Sequence, residues 1–183
     1  MSRALVERAQ RGDRDAYEAL VRDASRRLFL VASRILRDRD AADDAVQQTL
    51  VAIWRDLGSL RDPDRFDAWA YRIVVRQCRA ESRRLRRMGI TVVDLSGPMV
   101  EARDGFAGIA LRDELGRAFE HLSLDHRTVV VFHHVVGLTL GEIAEILDIP
   151  YGTVGSRLHH AMRALRQAIE AAERAPVAGG QPA

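Results

Sequence analysis

The sequence predicts an all-α protein in which an N-terminal helical bundle is linked to a C-terminal helix-turn-helix domain. Three observations predict this class. Apolar residues recur at intervals of three and four through residues 1–88, which is the period of one face of a helix. Residues 89–111 contain four glycines and one proline and interrupt the pattern. Residues 139–158 then have the pattern of a capped short helix, a tight turn and a second helix.

Length and composition favour a soluble globular protein of one medium or two small domains. The chain has 183 residues, of which 47% are apolar and 30% are charged. Its apolar runs are short and no apolar signal-peptide core follows Met1, so we expect no membrane segment and a cytoplasmic location. The single cysteine, Cys78, excludes a disulfide framework and a cysteine-based zinc site within the chain.

The charged residues divide the chain into two unlike parts. All 28 basic residues are arginine, which suits bidentate binding of phosphate and guanine, although a GC-rich genome would produce the same bias. Residues 1–88 hold 20 arginines against 14 acidic residues, whereas residues 112–183 hold 7 against 9 and all six histidines. We therefore predict an N-terminal module (1–88), a linker (89–111), a C-terminal module (112–174) and a disordered tail (175–183).

Four helices are predicted in the N-terminal module. A short helix around residues 5–9 ends at a turn at residues 11–13, and a second helix follows. The apolar stripe of the second helix is Tyr17, Val21, Ala24, Leu28, Val31 and Ile35. Asp40 is predicted to cap a third helix that ends near Gly58. The buried stripe of the third helix is Val46, Leu50, Ile53 and Leu57. Residues 62–64 open the fourth helix, because proline is favoured in a first helical turn.

The fourth helix carries an arginine ridge. At helical spacing its members fall within about 80° of one another and extend over about 21 Å. The members of the ridge are Arg72, Arg76, Arg79, Arg83 and Arg86. Only Glu81 opposes them nearby, whereas a solvated charged face normally mixes signs. The pattern favours a phosphate-binding ridge, and a solvated face is the alternative.

The C-terminal module contains the most specific pattern of the chain. Helices are predicted near residues 111–122 and 125–136. Thr139 and Glu142 then have the spacing of a capping box, and Pro150 is expected at the first position of the next helix. This is the helix-turn-helix arrangement, whose second helix lies in the major groove, and an ordinary helical hairpin is the alternative. The outward side chains that can contact phosphate and base edges are Thr153, Ser156, Arg157, His159, His160 and Arg163.

Two motif blocks carry a family resemblance. Residues 137–158 (GLTLGEIAEILDIPYGTVGSRL), preceded by residues 122–132 (LSLDHRTVVVF), resemble region 4 of extracytoplasmic-function (ECF) sigma factors. Residues 41–54 (AADDAVQQTLVAIW) and 65–73 (RFDAWAYRI) resemble region 2 of the same family. The resemblance covers residues 3–172 and implies a promoter-specificity subunit of bacterial RNA polymerase that directs promoter recognition, −10 melting and transcription initiation.

The resemblance implies that the third helix binds core RNA polymerase. In the family, a D-x-x-Q-x-T helix binds the clamp helices of the largest subunit, and here Asp43, Asp44, Gln47 and Gln48 occupy that helix. Gln48 replaces the more usual glutamate. A capped surface helix would explain the aspartates but not two adjacent glutamines. The flap of the second-largest subunit and an anti-sigma factor are further partners that the resemblance suggests.

The resemblance also implies that the loop at residues 60–66 and the fourth helix recognise and open the −10 element. The implied −10 residues are Arg65, Phe66, Trp69, Arg72, Arg76, Arg79 and Arg83. Trp69 is either a wedge inserted during melting or a core residue. Many relatives have asparagine where Arg76 stands, so the −10 preference of relatives does not transfer to this chain.

The −35 element is expected to contact His133 and the outward side chains of the last helix. Gly155 stands where relatives commonly have a basic residue, which removes a phosphate contact and about 1 kcal/mol of helix propensity. His133, His159 and His160 stand where relatives often have arginines or aromatic residues. Since neutral imidazole binds phosphate less well than guanidinium, we expect weak −35 contacts that strengthen in acid.

The linker suggests that the two modules need a scaffold. It reaches about 80 Å when fully extended but averages about 27 Å as a flexible coil, whereas half-sites two helical turns apart are separated by about 70 Å. Core polymerase would hold the modules apart and remove the cost of stretching.

Two other classes of protein remain open from the residues alone. A LuxR-type transcription regulator has a similar terminal helix-turn-helix but does not explain the arginine ridge. A helical adaptor that binds only protein is the second alternative. We expect no enzymatic activity, cofactor or metal site, because the sequence has no phosphate loop, no nucleophile with a base and no metal-ligand spacing.

Overall fold

The computed structural model describes residues 1–89 and 121–174, together with residues 116, 118 and 119. Helices dominate these residues, and no strand occurs among them, so the predicted all-α class is confirmed. The predicted linker beyond Gly89, most of the helix expected near residues 111–122, and the tail at 175–183 lie outside the described residues.

The described helices follow the predicted order. They are α1 (Arg3–Gln10), α2 (Arg14–Leu36), α3 (Arg39–Asp56), α4 (Phe66–Arg87), α5 (Leu124–Val130), α6 (Leu140–Leu147) and α7 (Tyr151–Arg174). Short 3-10 turns at Leu57–Ser59 and Pro63–Arg65 connect α3 to α4, and α5 continues as a π-helical turn at Val131–Val136.

Helices α1–α4 form the N-terminal bundle, in which α2 packs against α1, α3 and α4. Of the predicted stripes, Leu28, Val31 and Ile35 of α2 and Ile53 of α3 are at most 1% exposed. Asp13 caps α2 by accepting a hydrogen bond from the Ala16 amide at 3.0 Å. The period of the apolar residues therefore predicted which face of each helix is buried.

Two predicted helix starts are wrong by one or two residues. The N-cap of α3 is Asp38, which accepts from the Ala41 amide at 2.9 Å, and Asp40 lies in the first turn. The reason is the left-handed Arg37 (φ 56°), which ends α2 so abruptly that α3 begins two residues later. Pro150 precedes α7, and its carbonyl accepts from the Val154 amide at 3.2 Å, so it caps the helix instead of forming its first residue.

The C-terminal module is built on helices α5–α7. The predicted capping box is confirmed: the Thr139 amide donates to Glu142 Oε2 at 2.8 Å, and the Glu142 amide donates to Thr139 Oγ1 at 3.3 Å. Asp148 ends α6 in the left-handed conformation, and α7 then packs against both α5 and α6. Val154 and Ala161 are fully buried on the inner face of α7.

We expect Thr139→Ala to lower the free energy of unfolding by about 1 kcal/mol, because it leaves the first amides of α6 uncapped. Urea denaturation followed by circular dichroism measures the change, and Thr139→Ser, which keeps the hydroxyl, is the matched control. Hydrogen bonds from the Thr139 hydroxyl and amide lower the pKa of Glu142. The contribution of Glu142 to the stability of the fold is therefore fully present above the ordinary glutamate pKa. It is lost as the pH falls through the lowered pKa of the folded state. Equal losses in the alanine and serine variants would contradict this role.

The larger of two buried clusters among the described residues is shared by the two modules. Helix α4 packs against α6, and α2 packs against α5 and the π-helical turn. Phe132 is fully buried, and its ring centroid lies 5.5 Å from that of Tyr71 on α4. Ile143, Ile146 and Leu147 of α6 belong to the same buried cluster as the bundle residues. Instead of standing apart, the C-terminal module therefore packs directly on the N-terminal bundle.

Candidate partner and nucleic-acid surfaces

Helix α3 presents a polar face to solvent. The four residues predicted to contact polymerase, Asp43, Asp44, Gln47 and Gln48, are all exposed. Thr49, which directly follows Gln48, is fully buried, and its hydroxyl donates to the Ala45 carbonyl at 2.7 Å, so it serves the helix itself. Asp44 forms an exposed ion pair with Arg84 of α4 at 3.4 Å. Folding leaves most of the hydrogen-bonding capacity of this face available to a partner.

Sequence reasoning missed two apolar members of the same face. Val51 is 60% exposed and Trp54 is 67% exposed, and together with Gln47 they have helical i, i+4 and i+7 spacing. The Trp54 ring packs edge-on against Tyr17, with centroids 4.6 Å apart. Large apolar side chains on the outward arc of an amphipathic helix are the signal that could have found them. We call the exposed side chains of Asp43, Asp44, Gln47, Gln48, Val51 and Trp54 the α3 face.

Helix α1 holds the loop that precedes α4. The Gln10 side-chain amide donates to the carbonyls of Leu57 and Leu60, at 3.0 and 2.7 Å. Arg3 forms an ion pair with Asp64 at 2.7 Å. The Asp62 carboxylate accepts from the Asp64 amide at 3.1 Å. These contacts fix the loop at residues 60–66, which is predicted to take part in −10 recognition, relative to α4.

The C-terminal module covers one edge of the arginine region. Arg72 donates to the carbonyl oxygens of Glu145 and Ile146 at 2.6 and 3.2 Å. Arg65 pairs with the Glu145 carboxylate at 3.0 Å, and Arg79 pairs with Asp125 at 3.1 Å. The expectation that only Glu81 opposes the ridge is therefore wrong, because the second module supplies acceptors from a distant part of the sequence.

The other predicted −10 residues divide between surface and core. Arg76 and Arg83 are exposed, as is Arg86 of the ridge. Phe66 is 1% exposed, so it supports the loop from inside and does not face a ligand. Trp69 is half-buried and packs against the core, with its ring centroid 6.0 Å from that of Phe66.

Helix α7 displays most of the predicted −35 residues. Ser156, His159, His160 and Arg163 are exposed, and Thr153 is half-buried. Arg157 is 24% exposed and pairs with Asp125 at 2.8 Å. His133 lies outside α7 on the π-helical turn, with Nδ1 2.9 Å from the Leu138 carbonyl oxygen. Tyr151, which sequence reasoning missed, is 62% exposed at the start of α7.

Two glycines on α7 face open space. A Cβ atom built on Gly152 or Gly155 meets no atom within 4 Å outside the local helix. Packing inside the protein therefore does not require glycine at either position. A glycine in a helix interior costs roughly 0.5–1 kcal/mol relative to alanine, so Gly155 lowers the stability of α7 without a compensating internal contact.

The described residues give little support for a metal site or for a reactive thiol. No group of three or more His, Cys, Asp or Glu side chains in that part of the chain is arranged to hold a metal ion. Cys78 is fully buried in α4, and burial raises the pKa of its thiol to about 12. The thiol therefore remains protonated and unreactive at neutral pH.

Two sigma-factor family models match the chain, in the order in which these surfaces occur along it. Residues 20–88 match the model of sigma-70 region 2, and residues 112–165 match the model of sigma-70 region 4. The chain is 30% identical over 178 residues to the ECF RNA polymerase sigma-E factor of Salmonella typhimurium strain LT2, covering 91% of this chain and 93% of the relative. The chain belongs to the ECF family of sigma factors.

Other comparisons agree with this assignment. The chain is 29% identical over 180 residues to the RNA polymerase sigma-H factor of Pseudomonas aeruginosa, covering 91% of this chain and 92% of that protein. The structure of CnrH in complex with the cytosolic domain of CnrY matches with a TM-score of 0.66 and 28% identity, covering 92% of this chain and 97% of that one. RpoE from Bartonella quintana, in complex with the anti-sigma factor NepR, matches this chain in fold, with a TM-score of 0.66 and 22% identity, and the match covers 84% of this chain and 96% of that one.

As a sigma factor, the chain binds core RNA polymerase and promoter DNA and directs transcription initiation. The ordered matches to regions 2 and 4 favour this function over a LuxR-type regulator or a helical adaptor. Sigma factors as a class are non-catalytic regulators. Among the described helices, none has the length and apolar character needed to cross a bilayer.

Proposed function

We propose that three surfaces of this sigma factor bind three different targets. The α3 face binds the clamp helices of the polymerase largest subunit. The arginine side of α4, with the loop at residues 60–66, binds the −10 element, and the outward side of α7 binds the −35 element. The observation that carries the proposal is the α3 face. Four polar and two large apolar side chains on this face are exposed to solvent instead of packing inside the fold.

The α3 face has the composition of a protein-binding surface. Tryptophan is among the residues that most often dominate binding energy, and polar side chains around it supply hydrogen bonds at the rim. The Tyr17 ring holds Trp54 from one side, which limits the entropy that Trp54 loses on binding. The aspartates suit a basic partner helix, because opposite charges steer association.

The −10 surface suits a single DNA strand that is being separated from its duplex. Arg72, Arg76, Arg79 and Arg83 supply cations along one side of α4, and their guanidinium groups can bind phosphates or stack on bases. Trp69 lies at the boundary between this side and the core, so it can support an unstacked base without leaving its packing. Phe66 has a structural part in this proposal, because it holds the loop against the bundle.

The −35 surface suits duplex DNA. Hydroxyl, imidazole and guanidinium side chains follow one another along the exposed side of α7. In this proposal, His133 and Arg163 contact phosphates that flank the major groove. With Gly155 in the middle of this surface, α7 offers fewer cations than an arginine-rich recognition helix would, so −35 recognition contributes less binding energy than −10 recognition.

Run-off transcription with core polymerase and a promoter library tests the assignment. We expect defined transcription starts that require the full chain and core enzyme together. Binding to core polymerase without initiation on any promoter would contradict the proposed DNA surfaces. Initiation without a shared −10 sequence among the active promoters would contradict the role of α4.

We expect Gly155→Arg to strengthen binding to duplex promoter DNA by restoring a phosphate contact, since the position has room for a side chain. The added contact should raise the salt dependence of binding by about one unit in the log–log slope. Fluorescence anisotropy of holoenzyme on labelled −35 duplex across a salt series measures both quantities. Gly155→Ala, which stabilises the helix without adding charge, is the control. A slope that is equal in the arginine and alanine variants would contradict the phosphate contact.

We propose that the chain acts in the cytoplasm with its polymerase and without catalytic activity of its own. A protein regulator of the anti-sigma type is a further proposed partner. Two of the matched structures support this proposal, because they contain CnrH with the cytosolic domain of CnrY and RpoE with the anti-sigma factor NepR.

A further inference from the structure

We propose that helix α2 carries a further DNA-binding surface, which holds the phosphate backbone of duplex DNA beside the −10 element without reading its sequence. The surface consists of Arg22, Arg26 and Arg34, and we call it the α2 arginine face. It lies outside the three surfaces proposed above, and its placement beside the −10 element rests on the proposed assignment of α4. Its contacts add affinity for promoter DNA but no sequence preference.

The α2 arginine face lies on the side of α2 that the bundle does not bury. Arg22 and Arg26 are exposed, and half-buried Arg34 follows about two turns further on, at the edge of the same side. The three positions fall within about 120° of one another around the helix and extend over about 18 Å along it. Leu28 and Ile35, which belong to the core, lie on the opposite side of α2.

Acidic side chains do not accompany these arginines. The acidic residues of α2 all lie within its first ten residues. Glu18 lies 3.7 Å from Arg14, and Asp23 pairs with Arg27 at 3.2 Å. From residue 24 to the end of α2, the helix contains arginine but no acidic residue. In the part of the chain that the structure describes, no acceptor lies within hydrogen-bond or ion-pair distance of the α2 arginine face.

These positive charges are unfavourable for the folded chain by itself. Arg22 and Arg26 are four residues apart, where two like charges repel each other and destabilise a helix. Burial and the positive charge of Arg37 lower the pKa of Arg34. Arg37 itself donates from Nη1 to the Gly116 carbonyl at 2.8 Å. Since none of the described residues offsets the repulsion, the face favours an anion from outside the chain.

Duplex DNA is the polyanion that best fits this face. Guanidinium groups bind phosphate oxygens through paired donors, and phosphate contacts carry no sequence information. Beside these arginines, the Phe29 ring packs against the core and Leu30 is 37% exposed. The structure describes α2 throughout, and this face presents no exposed aromatic ring on which an unpaired base could stack. A single leucine is also too little apolar surface for the centre of a protein interface.

The α2 arginine face adjoins the start of α4. Arg27, which follows Arg26 in the sequence, pairs with Asp67 in the first turn of α4 at 3.0 Å. The proposed −10 surface begins at the same end of α4, with Arg65 and the loop at residues 60–66. Duplex DNA that continues from the melted −10 element therefore passes within reach of α2.

The test uses holoenzyme assembled from core polymerase and the full chain. Fluorescence anisotropy across a salt series measures its binding to two labelled duplexes, a promoter found by run-off transcription and a duplex of random sequence. The variant is Arg22→Gln with Arg26→Gln, which leaves half-buried Arg34 in place. The control is Arg11→Gln with Arg14→Gln, which removes two exposed arginines near the start of α2 but outside the face. Circular dichroism checks that both variants are folded, and titration of labelled core polymerase measures their assembly.

We expect the variant to lower the slope of log affinity against log salt by about two on both duplexes, because two phosphate contacts are lost. The control should keep the slope of the parent chain. An unchanged slope would overturn the proposal, as would an equal fall in the control or a fall on the promoter alone. Weaker binding of the variant to core polymerase would identify an acidic protein surface as the occupant instead. If the parent chain directs no transcription at all, the proposed function fails, and the random-sequence duplex still reports on the α2 arginine face.

Discussion

Replacing Trp54 by alanine should weaken binding to core RNA polymerase by about 30-fold or more while leaving the chain folded. An exposed tryptophan on a binding face is a typical hot spot, for which truncation costs about 2 kcal/mol or more. Trp54 is 67% exposed, and Val51 lies between it and the polar residues of the α3 face along the helix. Its internal contact is the edge-on pair with Tyr17, which contributes about 0.5–1.5 kcal/mol. The loss of polymerase affinity should therefore exceed the loss of stability.

Titration of labelled core polymerase with each variant measures the affinity, and urea denaturation measures the stability. Met88→Ala is the matched control, because Met88 is 58% exposed in the same module but lies at the end of α4, outside the α3 face. Equal affinities of the Trp54 and Met88 variants for core polymerase would remove the α3 face from the proposed interface.

The parts of this fold that depend on the local spacing of residues along the chain were predictable from sequence. The buried faces of α2 and α4, the Thr139–Glu142 capping box and the helix-turn-helix arrangement each depend on residues within a few turns of one another. The start of α3 was misplaced because it depends on the left-handed Arg37, a conformation that non-glycine residues seldom adopt and that the sequence does not signal.

The contact between the modules was not predictable in the same way. Residues 65–79 pair with residues 125–146, and nothing in the local pattern of either segment specifies its partner. The arginine ridge was correctly placed on one side of α4, but its acceptors come from the far side of the linker. Trp54 and Val51 were within reach of sequence reasoning, because they interrupt an otherwise polar outward arc on α3.

Phe132→Ala should lower the free energy of unfolding by about 3–5 kcal/mol, the usual cost of removing a buried phenylalanine ring. Phe132 is fully buried, and it contacts Tyr71 across the boundary between the modules. If the two modules unfold as one cooperative unit, this substitution in region 4 should also destabilise region 2. Modules that unfold independently would confine the effect to region 4.

The two tryptophans of the chain separate these outcomes, because Trp54 and Trp69 both lie in region 2. Tryptophan fluorescence therefore reports the unfolding of region 2, while circular dichroism reports the helices of both modules. We expect the fluorescence midpoint in urea to fall with the circular dichroism midpoint in Phe132→Ala. Phe66→Ala, which removes an equally buried ring within region 2, provides the reference shift. A fluorescence transition that stays in place while the circular dichroism transition splits would show that the modules are uncoupled.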